Sequence, residues 1–342
     1  MLSSRIAEPT GKAIMENMSQ AGAAEQAKSI LLLKPRGFCA GVVRAIDVVK
    51  IVLNMYGAPI YVRKEIVHNK HVVEALQKKG AVTIEALTEA PEGSVVVFSA
   101  HGSPKSHYDE ARMRKIRLID ATCPLVTKVH LEVQRFIKDG YQIIYIGHKG
   151  HIEGVGVLGE VPEASIPLIE TVEDVERLDI GQSEKLVYLT QTTLSIDDTK
   201  QVIEALKKKY PQIIAPPLED ICYATTNRQG AVKALAQACD LVLIVGSRSS
   251  SNSTRLMETA NACGTVAYLV DDVRELDPRW LAGVEVVGVS AGASAPEHLV
   301  SELVSFLTKD GAVVEDFIVK PETMKFAEPL ELMQIRAAKN KS

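Results

Sequence analysis

The 342-residue chain has no apolar run approaching the roughly 18 residues needed to cross a bilayer, so no membrane association is expected. It has no dense Lys/Arg cluster and a formal net charge of -4, so a nucleic-acid partner is not expected either. There is no G-x-G-x-x-G after a strand pattern and no G-x-x-x-x-G-K-S/T; no organic cofactor site and no P-loop is indicated. It has five cysteines and no C-x-x-C, which counts against a four-cysteine zinc site and against ferredoxin-type cluster binding. Residues 1–29 lack the apolar core of a secretory signal, and their acidic residues and shortage of Arg argue against a transit peptide. They read as a mobile extension. The cysteines are then expected in the reducing cytoplasm of a bacterium, where metal binding or catalysis is a commoner use than disulfides.

What is present is a soluble α/β composition, with 46% apolar and 24% charged residues. Short β-branched runs read as strands at 30–34, 60–63, 95–99, 117–120, 142–146, 185–190, 212–215, 240–245, 266–270 and 285–290. Between them, apolar spacing near 3.6 predicts helices, among them 42–55, 125–138 and 228–238. Such alternation implies βαβ units and parallel sheets.

A repeat underlies the alternation. Cys39 ends LLLKPRGFC, Cys123 ends RLIDATC and Cys222 ends IIAPPLEDIC, each just before a helical pattern. A strand with a polar C-terminal end follows each one: His68 lies 29 residues after its Cys, His151 lies 28 after and Ser251 lies 29 after. Another polar strand end closes each unit, at VVFSAHG (His101), VYLTQTTLS (Thr192) and VGVSAGASAP (Ser294). The chain therefore reads as three pseudo-symmetric α/β lobes with small parallel sheets, at 30–121, 122–218 and 219–328, before a C-terminal tail at 329–342. Ligands of open parallel sheets bind beyond the strands' carboxyl ends. Lobes facing a common axis would bring three cysteines and the polar loops together there.

A helix N-terminus offers free N–H groups and a positive dipole end, which favour a thiolate at the three junction cysteines. Cys239 and Cys263 fall outside the repeat and read as packing residues. Three thiolates leave two options open, a zinc with one open position or an iron–sulfur cluster with one iron free for substrate, and the larger cluster suits three lobes better. His68, His101 and His151 at equivalent loops suit a shared anionic ligand. The run GSRSSSNS at 246–253, with Ser250, Ser251 and Asn252, can cradle a phosphate at a helix start, as can Ser294 in SAGASAP. Glu153, in HIEG, is a solvated surface carboxylate or a proton donor.

Together PRGFCAGV, AHG, DATCPLVTKVH, GHKGHIE, TQTTLS, DICYATTNRQ, GSRSSSNS and SAGASAP resemble the 4-hydroxy-3-methylbut-2-enyl diphosphate reductase (LytB) family over about residues 30–320. The resemblance implies an oxidoreductase catalysing the last step of the non-mevalonate isoprenoid pathway. It further implies a three-lobed fold around a 4Fe–4S cluster, with Cys39, Cys123 and Cys222 as ligands and one open iron site. The substrate would be an allylic diphosphate, its diphosphate held by His68, His101, His151, Ser250, Ser251, Asn252 and Ser294. Glu153 would deliver protons, Thr192 would order the substrate alcohol, and reduced ferredoxin or flavodoxin would be the electron donor. Ile152 and residues 154–157 depart from the HPEVEGT form common in the family, which puts that loop's conformation in question.

Two other readings compete. A three-cysteine dehydratase resembling quinolinate synthase acts on a dicarboxylate and should show carboxylate-matching Arg in these loops. A non-enzymatic iron–sulfur carrier or sensor needs no enclosed polar pocket and no Glu153.

Overall fold

The computed structural model describes residues 27–161, 166–181 and 183–339. The expected mobile extension lies outside the described residues except for its last three positions. No helix among them is long and apolar enough to cross a membrane.

Three sheets form, and every registered strand pair in them is parallel. Across its width the first runs Ala81–Ile84, Ile60–Arg63, Val95–Phe98, Arg117–Asp120. The second runs Leu168–Ile169, Gln142–Ile146, Leu186–Thr190. The third runs Val266–Val270, Leu241–Val245, Val286–Ala291, Ser29–Lys34, Val313–Ile318. All residues of Leu241–Val245 and Leu186–Thr190 are buried, as parallel strands covered on both faces require.

The three cysteines sit where the chain crosses from one lobe to the next. Ser29–Lys34 belongs to the third sheet, while helix Ala40–Tyr56 packs Val42, Ala45 and Val49 against Ile60 and Val62 of the first lobe. Arg117–Asp120 closes the first sheet, and helix Pro124–Lys138 packs Val129, Val133 and Phe136 on Ile143 and Tyr145 of the second. Ile214 bridges Val187 of the second lobe, and helix Tyr223–Ala236 packs Ala231, Val232 and Leu235 on Val242 and Ile244 of the third. Each crossover puts one turn into a helix, and one cysteine, between two lobes.

Several expectations are corrected. The first lobe does not begin its sheet at residue 30, because that strand pairs with Val286–Ala291 and Val313–Ile318, leaving Leu33 fully buried in the third lobe's core. Residues 212–215 form no strand; only Ile214 reaches the sheet edge. Three strands went unread. Ala81–Ile84 and Leu168–Ile169 are short, and Val313–Ile318 is an edge strand, paired on one side only and mostly exposed, so no apolar run marks it. The segment from 329 is not a free tail: Leu330–Lys339 is helical, and Leu332 is fully buried in the first lobe's core.

Candidate active site

Each junction cysteine is the N-cap of its helix, before Ala40–Tyr56, Pro124–Lys138 and Tyr223–Ala236. The three are anchored alike. Cys39 N–H donates to Ala293 O (3.1 Å), Cys123 N–H to Ala100 O (3.0 Å) and Cys222 N–H to Thr192 O (3.0 Å). These acceptors lie in the closing strand-end loops, SAGASAP, SAHG and TQTTLS, so one backbone bond fixes each thiol beside the loop of the preceding lobe. Pro124 occupies the first helical turn after Cys123, where no intrahelical N–H partner is needed.

Burial overrides the helix N-terminus in setting thiol acidity. It pushes Cys123 up to about 12 and Cys222 up to about 11, against hydrogen bonds from the Leu125 backbone to Cys123 and from the Thr225 hydroxyl to Cys222. A bound cation opposes that push, because a metal takes the proton's place on the sulfur. Among the described residues no three Cys, His, Asp or Glu side chains converge as the ligands of a single ion do. The three thiols line a shared cavity instead. Gly41 lets two of them approach: a Cβ there would lie 2.6 Å from Cys123 Sγ and 3.8 Å from Cys39 Sγ.

All twelve candidate residues line that one cavity: Cys39, Cys123, Cys222, His68, His101, His151, Glu153, Thr192, Ser250, Ser251, Asn252 and Ser294. No Lys or Arg lines it.

Glu153 is buried in the first turn of helix Ile152–Leu158. Its Oε1 accepts from Thr192 N–H (2.7 Å) and its Oε2 from Thr192 Oγ1 (2.8 Å). Burial drives its carboxyl up to about 7, against those two donors. His151 caps the helix, its Nδ1 accepting from Glu153 N–H (3.2 Å), which assigns the ring proton to Nε2. The departure from HPEVEGT leaves this arrangement standing, for Ile152 opens the helix where the family form has proline.

The imidazoles gather on one wall. His68 and His101 stack at 4.1 Å between centroids, and His151 stands edge-on to His68 at 5.9 Å. Burial, reinforced by the neighbouring rings, holds His101 well below the ordinary histidine range and His151 at about 4. Both rings are neutral near pH 7 and offer N–H donors rather than charge.

The opposite wall is the start of helix Ser251–Ala262. Ser250 caps it, accepting from Ser253 N–H (3.3 Å), and Ser251 Oγ donates to Thr193 O (3.0 Å). Asn252 Oδ1 accepts from Ala293 N–H (2.8 Å), which turns its Nδ2 group to the other side, buried and without a partner. Ser294 Oγ donates to His68 O (3.0 Å), tying the third lobe to the first. An unpartnered amide, two neutral imidazoles and a helix N-terminus thus face one cavity, a set of dipoles of the kind that suits an anion.

Three contributors were not singled out from sequence. Thr225 Oγ1 lies 3.2 Å from Cys222 Sγ and donates to Thr192 O (3.0 Å); a Thr in a helix's first turn carries no distinguishing signal. Gly41 is one of 22 glycines, and only the GFCAG context marks it. His130, which acts on Glu153 through its field rather than from the cavity wall, is buried with Nδ1 2.7 Å from Glu160 Oε1 and its Nε2 under Gly102.

A model of the family described as LytB protein matches residues 30–308. The 4-hydroxy-3-methylbut-2-enyl diphosphate reductase of Acidothermus cellulolyticus is 52% identical over 307 residues, 89% of this chain and 90% of its own. That of Actinobacillus succinogenes is 53% identical over 306 residues, 89% of this chain and 98% of its own. The solved structure of the E-1-hydroxy-2-methyl-but-2-enyl-4-diphosphate reductase from Plasmodium falciparum superposes with a TM-score of 0.89 at 39% identity, covering 92% of this chain and 99% of that one. A second solved structure, named as the (E)-4-hydroxy-3-methyl-but-2-enyl diphosphate reductase, terminal enzyme of the non-mevalonate pathway, gives a TM-score of 0.61 at 30% identity over 82% of this chain and 99% of that one.

Proposed function

The chain belongs to the LytB protein family, and we propose the way in which its own residues perform that family's reductase reaction. As a 4-hydroxy-3-methylbut-2-enyl diphosphate reductase it is an oxidoreductase of the non-mevalonate isoprenoid route, and its family is an iron–sulfur one. The hydroxyl carbon of the allylic substrate loses oxygen as water. Two electrons and two protons enter, and isopentenyl or dimethylallyl diphosphate leaves.

The donor set fits a cluster. Three soft thiols, one from each lobe crossover, surround a common space, with small Gly41 between two of them. Cys39, Cys123 and Cys222 would hold a 4Fe–4S cluster with one iron free of protein ligands. Such a cluster supplies electrons and a Lewis acid for a poor leaving group. The electrons come from reduced ferredoxin or flavodoxin, and the compartment is the bacterial cytoplasm.

The other nine residues divide the remaining tasks. Ser250, Asn252, His68, His101 and His151 donate to the diphosphate from the two walls, and Ser251 and Ser294 join them by turning their hydroxyls away from Thr193 O and His68 O. Neutral donors hold it without a lysine or arginine whose charge would compete for Glu153. The missing guanidinium also counts against a dicarboxylate substrate. Glu153, raised to about 7, is partly protonated at neutral pH and can pass that proton inward, with Thr192 Oγ1 bridging the carboxyl and the substrate alcohol. The donor-lined cavity favours this reading over an electron carrier, which needs no such pocket.

The observation that carries the assignment is the convergence of all twelve residues, drawn from three lobes, on one cavity with an unsatisfied amide donor in its wall. Glu153→Gln keeps shape and removes the transferable proton. Near-complete loss of turnover with the cluster's absorbance retained is expected; wild-type turnover in this variant would refute the proton-donor role.

A further inference from the structure

Asn227, Arg228 and Gln229 of the DICYATTNRQ motif contribute no atom to the cavity wall, yet each ties the Cys222 helix to a different part of the molecule. Asn227 Nδ2 donates to Glu322 Oε1 (3.0 Å) in the segment that follows the last strand. Gln229 grips the loop after Thr192, donating from Nε2 to Leu194 O (2.8 Å) and accepting from Ile196 N–H (3.0 Å).

Arg228 lies between them and is fully buried, an exceptional place for a charge. Its Nη2 donates to Gly37 O (2.8 Å), two residues before Cys39. Its Nη1 donates to Ala224 O (3.2 Å), two residues after Cys222, and to Glu322 Oε1 (2.9 Å). A second bond joins the same two turns, from Ala40 N–H to Tyr223 Oη (3.0 Å). The planar fork divides these partners between two nitrogens, Nη2 toward Gly37 and Nη1 toward Ala224 and Glu322, a separation that lysine's single nitrogen lacks. An apolar residue would pack here without the desolvation penalty of a buried ion pair, so stability alone does not explain the arginine.

We propose that Arg228 is a positioning residue: its guanidinium locks the Cys39 and Cys222 turns together and places a buried positive charge behind the metal site, with Glu322 moderating that charge. The proposal rests on the reading of Cys39 and Cys222 as cluster ligands. A fixed positive charge favours the more negative, reduced form of a cluster and raises its reduction potential; the Glu322 carboxylate does the reverse. Removing either partner should therefore move the potential in opposite directions, whereas simple loosening of the fold has no reason to do so.

The test is the midpoint potential of the anaerobically reconstituted full-length protein, titrated with dithionite and followed by electron paramagnetic resonance. Arg228→Met is expected to lower the midpoint and Glu322→Gln to raise it. Arg228→Lys should keep the midpoint close to wild type while losing cluster more readily on gel filtration, because charge survives and the fork does not. Shifts of the same sign for Arg228→Met and Glu322→Gln, or none in either, would overturn the proposal. Should Arg228→Met fail to fold, Glu322→Gln decides, and an unchanged or lowered midpoint refutes it. A wild-type chain that takes up no cluster would instead refute the cofactor reading, before any variant is made.

Discussion

Gly41→Ala isolates the metal site from the stability of the fold. The added Cβ would sit 2.6 Å from Cys123 Sγ, about 1 Å inside ordinary carbon–sulfur contact, and 3.8 Å from Cys39 Sγ. Overpacking of this size costs about 1–3 kcal/mol. Gly41 lies in the first turn of a helix with no left-handed φ, so alanine returns up to about 1 kcal/mol through helix propensity. The net effect on folding is a loss of about 0–2 kcal/mol, or a few degrees in Tm. The effect on cluster assembly is expected to be far larger, because the new methyl takes the place where Cys123 Sγ now stands. Differential scanning fluorimetry on the metal-free protein and iron and sulfide analysis after anaerobic reconstitution separate the two. Near-normal melting with several-fold lower iron is expected. Full iron loading and wild-type turnover in Gly41→Ala would refute the placement of these two sulfurs around one cluster.

A carboxyl that must be protonated to act, and that burial raises to about 7, gives a defined pH dependence. The rate constant for reduction should be flat below that value and fall as pH rises through it, and an activity flat from pH 6 to 9 would exclude Glu153 as the proton source. Leu332→Ala probes the C-terminal helix: removing a fully buried leucine from the first lobe's core should cost about 2–5 kcal/mol in urea unfolding. A loss within about 0.5 kcal/mol, as for a surface position, would mean that the helix does not pack there.

The cysteine rhythm was legible because its cause is topological. A helix start at every lobe crossover leaves a fixed spacing behind even where the lobes' own sequences have diverged. Membership of strands in sheets was not legible. Ser29–Lys34 carries an apolar run that fits any buried parallel strand, and only the closing of the third sheet by Val313–Ile318 assigns it. That last strand's apolar residues are interrupted by Glu315 and Asp316, as an edge with little covered surface allows. In the site, residue types at strand ends were enough to nominate the donors, since His, Ser and Asn at such ends have little other use there. Gly41, Thr225 and Arg228 could not be nominated, because their importance lies in a missing methyl, a first-turn hydroxyl and a long reach to Gly37, all visible only in three dimensions. Burial of the thiols was not legible for a related reason. A helix start favours a thiolate, but the depth of burial that opposes it is a tertiary quantity.

Metal analysis of the protein purified without oxygen tests the central claim most directly. Expected are about four iron and about four sulfide per chain, falling together in Cys39→Ser, Cys123→Ser and Cys222→Ser and unchanged in Cys239→Ser and Cys263→Ser. Stoichiometric zinc in place of iron, or iron retained undiminished in any of the three junction variants, would contradict it.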